Sequence, residues 1–159
     1  MLEAGRTPAE IISSFANPSS LYAPQPPSTD TTPLARLKEL QNIYGSDELV
    51  EQRYNSYVNS GLTPEAAVNL LAKELHSLGG RNHGELESDN PLVNVPVDIL
   101  YRIEGGDFLR FVKSALSGIV VVDGEDMEFD PKTRTARIGR GYIEKASLGW
   151  VAAAIVHEA

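Results

Sequence analysis

The sequence predicts an α+β fold: a mostly helical N-terminal half, a small antiparallel sheet with a hairpin, and a buried helix at the C-terminal end. Three observations carry this. Between Leu34 and Leu78 apolar residues recur at helical spacing in three stretches, each opened by a start signal and closed by glycine. Between Ile119 and Gly139 the period changes to β-branched and alternating runs. From Trp150 to Val156 every residue is apolar, a pattern that belongs inside a domain and not on its surface.

The elements follow in order. Thr7-Pro8-Ala9-Glu10 has the form of a capping box and predicts a short helix to about Ala16. Asn17 to Pro33 is rich in Pro, Ser and Thr and reads as an extended arm, with Leu21 and Tyr22 as its docking residues. Residues 1–33 are thus set apart from a domain over 34–159. Thr32-Pro33 starts a helix carrying Leu34, Leu37, Leu40 and Ile43 to Gly45. Ser46-Asp47-Glu48 starts the next, with Leu49, Val50, Tyr54, Tyr57 and Val58 as its apolar side before Gly61. Thr63-Pro64-Glu65 starts a third, with Val68, Leu71, Ala72, Leu75 and Leu78 before Gly79-Gly80. Arg81 to Asn94 reads as a loop, and Pro96 to Ile103 as one or two helical turns. Asp107 is placed as the cap of a helix whose inner side is Phe108, Phe111, Val112 and Leu116. Ile119 to Val122, Met127 to Phe129 and Thr135 to Gly139 are the strands, with a turn at Asp130-Pro131-Lys132-Thr133. Ser147 to Ala159 is the last helix.

Composition narrows the function. Fourteen Lys and Arg against 22 Asp and Glu leave a net charge of -8, the wrong sign for neutralising a nucleic-acid backbone or an anionic membrane surface. The longest apolar run is far shorter than the roughly 20 residues of a membrane span. The absence of cysteine excludes a disulfide scaffold, a zinc ribbon and a cysteine nucleophile. No apolar signal-peptide core follows Met1, and localisation stays open. His76 and His83 are each expected as surface or half-buried histidines and not as metal ligands, Asp123-Gly124-Glu125-Asp126 as a solvated turn, and Gly139-x-Gly141 is too short for a dinucleotide fingerprint. Ser114, Ser117 and Ser147 lie in no nucleophile-elbow context.

The most informative residues are the last, His157-Glu158-Ala159. A histidine and a glutamate directly after seven apolar residues are costly to bury unless something pairs with them, and a metal ion is one such partner. Here the chain resembles the zincin metallopeptidases, whose helical His-Glu-x-x-His motif turns two histidines to one side. The resemblance runs back over the hairpin, the strand-like Arg137 to Ile143 and the Ala-rich helix. It implies Zn2+ as cofactor, His157 as first metal ligand and Glu158 as general base. It further implies that Ile138, Gly139, Arg140, Gly141 and Tyr142 form an edge strand to which a peptide substrate adds. The second histidine of the motif would be residue 161, so no complete protein zinc site is expected within residues 1–159, and the polypeptide is expected to continue.

A cysteine-free metallopeptidase domain with a Pro/Ser/Thr-rich arm and a helical preface is also similar to the C-terminal effector domains of VgrG spike proteins of type VI secretion. That likeness implies delivery to a neighbouring cell, toxicity in its periplasm and an immunity or inhibitor protein as partner. The alternative from a different class is a non-catalytic protein-binding or adaptor module that docks through its arm or helical half. A third is a peptidase scaffold that has lost catalysis.

Overall fold

The computed structural model describes residues 21–26, 31–45 and 47–159. The capping box at Thr7 and its helix lie outside the described residues. Among the described residues, seven α-helices precede, flank and follow a three-stranded sheet.

Helix α1 (Pro33–Tyr44) begins where the Thr32 hydroxyl accepts the Ala35 N–H, with Pro33 in its first turn, where a missing N–H costs nothing. Helices α2 (Asp47–Asn59) and α3 (Pro64–Gly79) follow after short turns, the latter capped by Thr63. The inward stripe is narrower than the sequence implies: Leu37, Leu40, Val50, Tyr54, Leu71 and Leu75 are buried, whereas Leu34, Leu49 and Leu78 are exposed.

The next helix corrects the loop assigned to Arg81–Asn94. Helix α4 (Pro91–Arg102) starts ten residues after Arg81, capped by the Asn90 side chain on the Leu92 N–H. Asn-Pro is a start signal, and Pro96 lies within the helix without ending it. Val93 to Leu100 are buried without interruption, so packing on every side compensates for the hydrogen bond that Pro96 cannot donate. Gly105 and Gly106, both at positive φ, turn the chain into α5 (Asp107–Ala115), so Gly106 occupies the cap position and Asp107 opens the first turn. The buried side of α5 is Leu109 and Val112, with Leu116 just beyond it; Phe108 is half-buried and Phe111 exposed.

Strands β1 (Gly118–Val122), β2 (Met127–Asp130) and β3 (Thr135–Gly139) form the sheet in the order β1-β3-β2. The β2–β3 hairpin is antiparallel as expected, its turn held by the Asp130 side chain on the Lys132 N–H. Strand β1 pairs with β3 in parallel, so the sheet is mixed and not wholly antiparallel. The reason is topological: the chain enters β1 from α5, crosses to β2 and returns as the central β3.

Arm residues 21–23 lengthen the sheet. Tyr22 bridges Glu128 antiparallel, with the Phe129 N–H donating to the Leu21 carbonyl and the Ala23 N–H to that of Met127. The arm thus docks through its backbone, leaving the Leu21 and Tyr22 side chains half exposed and burying Ala23. Helix α6 (Arg140–Lys145) follows β3 directly, and α7 (Leu148–Glu158) ends the fold, packed on α4, α5 and β2. Every residue of α7 is buried. Arg36, itself buried, donates to the carbonyls of Ala146 and Ile143 at 2.9 and 2.8 Å, while Glu39 accepts from the Leu148 and Gly149 N–H groups. Helix α1 therefore supplies charged partners to the start of the buried helix. No helix among the described residues is long and apolar enough to cross a membrane.

Candidate active site and a buried histidine cluster

Among the described residues, two buried polar groups hold the three histidines. The first is at the end of α7. Ser147 caps this helix by accepting the Trp150 N–H, and its apolar residues carry His157 and Glu158 inward. The His157 side chain is 7 % exposed and Glu158 not at all, with 3.8 Å between His157 Nε2 and Glu158 Oε1. Both Glu158 oxygens are buried without a hydrogen-bond partner among the described residues. Burial, and secondarily the charge of Glu128 on β2, push the Glu158 carboxyl up to about 8. His157 Nε2 donates to the Tyr22 carbonyl at 3.0 Å, so the arm lies directly against this histidine.

The arm is fixed there by further bonds. Tyr142 donates its hydroxyl to the Pro24 carbonyl at 2.7 Å and accepts the Trp150 indole N–H at 2.9 Å, joining α7, α6 and arm in one chain. Gln25 donates to Asp126.

The segment expected to bind substrate is not an edge. Ile138 and Gly139 belong to β3, the central strand, whose two sides are taken by β1 and β2. Arg140, Gly141 and Tyr142 are helical, in α6. The two glycines serve packing: a Cβ on Gly139 would lie 2.5 Å from the Gly124 carbonyl oxygen, and one on Gly141 would meet the Glu125 carboxylate. That close approach lets the 123–126 turn hydrogen-bond both glycine N–H groups. The turn's carboxylates are exposed as expected, with Asp123 paired to Arg140 and Glu125 to Lys145.

The second group overturns the expectation for the other two histidines. His76 on α3 and His83 in the loop after it are 8 % and 3 % exposed, and both meet Asp98 of α4, which is wholly buried. His76 Nδ1 lies 2.6 Å from Asp98 Oδ2 and His83 Nε2 2.7 Å from Oδ1. Tyr44 donates to the same carboxylate at 2.5 Å. On its other side His76 Nε2 meets both oxygens of Glu87, at 2.9 and 3.0 Å. With a carboxylate at each ring nitrogen, His76 donates from both. Burial works against its charge, but the bonds to Asp98 and Glu87 outweigh it and hold its pKa above the ordinary histidine value. Burial likewise opposes ionised Asp98, and donation from His83, Tyr44 and His76 prevails, keeping that carboxyl below the usual range. Burial, reinforced by the bond to Asp98, pushes the Tyr44 hydroxyl far up.

The cluster requires Gly80, where a Cβ would fall 2.1 Å from Asp98 Oδ2. The ligand atoms of His76, His83 and Asp98 all lie within 4.8 Å of one another, and this buried group could hold a metal ion. Part of it was legible. His76 is four residues after Ala72 on the apolar stripe of α3, and Asp98 interrupts a run that is otherwise largely apolar, Val93 to Leu100. A polar residue in either place needs a buried partner. His83, in a polar loop, carries no such signal.

Glu87 also reaches an open groove of about 630 Å³ between the Glu87–Pro91 segment and β1, with Asn69 and Arg140 on its wall. No family model, curated protein or solved structure matches the chain.

Proposed function

We propose that the chain carries the ligand-bearing helix of a zinc-dependent peptidase, with His157 as a metal ligand and Glu158 as general base. One observation supports this above the others: the Glu158 carboxylate is fully buried beside His157 and has no hydrogen-bond partner among the described residues. An isolated buried carboxylate costs several kcal/mol, a cost the fold bears where a cation or a substrate proton completes the pairing. The residues present fit part of a zinc site, a nitrogen donor and an adjacent base; the resembling motif places its second histidine at position 161.

Zinc, when bound, lowers the pKa of a coordinated water and polarises the scissile carbonyl. The chain's own residues would do the rest. His157 offers Nε2, the atom now bonded to Tyr22. Glu158 takes a proton from the water that attacks the carbonyl carbon and passes it to the nitrogen of the breaking C–N bond. The apolar α7 and the sheet exclude bulk water from that carboxylate. A peptide substrate would add beside β2, in place of the arm, and not along Ile138–Tyr142, because an antiparallel backbone opposite Glu128 would bring a carbonyl to His157, as Tyr22 does.

The test is proteolysis of a mixed peptide library by the polypeptide expressed from its own gene, read by mass spectrometry. Cleavage that requires zinc and disappears in Glu158→Ala, with an unchanged circular dichroism spectrum, is the expected result. Undiminished cleavage by Glu158→Ala removes this residue from the mechanism.

A further inference from the structure

We propose that His76 Nδ1, His83 Nε2 and the Asp98 carboxylate form a second site for a divalent transition-metal ion of the zinc class, three protein ligands with a water in the fourth position, and with Glu87 orienting His76 from outside. The site shares no residue with the end of α7 and stands independently of the peptidase reading.

The donor set decides the class of ion. Two imidazole nitrogens and one carboxylate suit zinc and its first-row neighbours, whereas magnesium and calcium require oxygen ligands. Geometry comes next. Ligands about 2.0–2.1 Å from a tetrahedral zinc stand roughly 3.3 Å apart. The two His–Asp separations are 2.6 and 2.7 Å, the contraction expected where protons, and not a cation, bridge the same atoms. An opening of roughly 0.6–0.7 Å at each His–Asp contact, with the two histidine nitrogens, now within 4.8 Å of each other, drawn to the same spacing, converts one state into the other through side-chain torsions. The His76 Nδ1 and His83 Nε2 protons leave to solvent as the ion enters, so charge is exchanged and not simply added.

The surroundings match what a metal-binding histidine needs. A ligating imidazole characteristically donates its remaining N–H to a carboxylate, which fixes ring and tautomer. Glu87 already does this for His76 Nε2, and it also accepts the His83 backbone N–H at 3.1 Å, tying both histidines to one outer residue. Asp98 is held in place by Tyr44 and by the Arg81 N–H. The three ligands come from α3, from the loop and from α4, so the ion would cross-link three successive segments of chain. In doing so it would hold the Glu87–Pro91 segment that walls the groove beside β1.

The experiment titrates the 159-residue chain with Zn2+ alone, by calorimetry and native mass spectrometry, in four forms: unaltered, His83→Ala, Glu87→Gln and His157→Ala. The expected result is one zinc per chain, retained in His157→Ala, lost in His83→Ala, and weakened about 10–100-fold in Glu87→Gln. Glu87 is partly exposed and lies outside the ligand set, so its variant keeps the proposal decidable if His83→Ala does not fold. Absence of zinc binding by the unaltered chain overturns the site. So does binding that is lost in His157→Ala while Glu87→Gln is unaffected, because the ion would then sit at α7.

Discussion

Replacing Glu158 by glutamine changes how stability depends on pH, and the structure sets the size of the change. In the folded chain the carboxyl titrates at about 8 against 4.5 in an unfolded chain, burial being the main cause. The folded state therefore holds the proton more tightly. Its contribution to stability is complete below 4.5 and is lost as pH rises through about 8. At 1.36 kcal/mol per pH unit, the loss is about 1 kcal/mol at pH 5, about 3 at pH 7 and about 5 at pH 9. Glutamine has the same shape and no charge, so Glu158→Gln is spared this loss and keeps only the pH-independent cost of its buried amide. The assay is urea unfolding of both forms at the three pH values, in chelator so that no cation offsets the charge. The stability difference between them should move by about 4 kcal/mol in favour of glutamine from pH 5 to pH 9. Parallel pH profiles, with a change below about 1 kcal/mol, would refute the argument that this carboxylate is ionised at a cost inside the fold.

Two further substitutions probe the elements that position the sites. Gly80→Ala places a methyl group 2.1 Å from Asp98 Oδ2 and must displace the carboxylate from its donors. A loss of about 2–4 kcal/mol in urea unfolding is expected, together with displaced His76 and His83 imidazole resonances in NMR spectra. Arg36→Leu strips the Ile143 and Ala146 carbonyls of their donors beside the Glu39 carboxylate. Burial already holds that carboxyl above its ordinary value, and Arg36 is among the groups that restrain the rise. The expected cost is about 3 kcal/mol, and combining the change with Glu39→Gln should cost less than the sum of the two. Additivity in that cycle would show that the two side chains act separately.

Local signals were enough for several elements. Thr-Pro before α1 and α3 and Ser-Asp-Glu before α2, each followed by an apolar stripe and a glycine, set these three helices, because capping and φ preferences act within a few residues. The buried character of α7 was equally legible, since a helix apolar on all sides has no stable place on a surface. His157 and Glu158 could therefore be placed inside from sequence alone. Helix α4 was legible only from Pro96 onward, because its first residues adjoin the polar, turn-rich stretch read as a loop, and a proline inside a helix is tolerated only where packing compensates for its missing hydrogen bond.

What only the tertiary structure decided is which segments become neighbours. The alternating pattern of Thr135 to Gly139 shows a strand but not its rank in the sheet, and pairing on both sides took the proposed substrate edge away from it. The arm's composition excludes a helix but does not say that Tyr22 would meet both β2 and His157, residues more than 100 positions away. His76, His83 and Asp98 lie in three segments that convey nothing about one another until α3 and α4 pack. Capping, periodicity and burial are properties of neighbouring residues and so are written in the sequence. A cluster of charges drawn from distant segments exists only once the chain has closed around it, because its members stabilise each other only at contact distance and out of water.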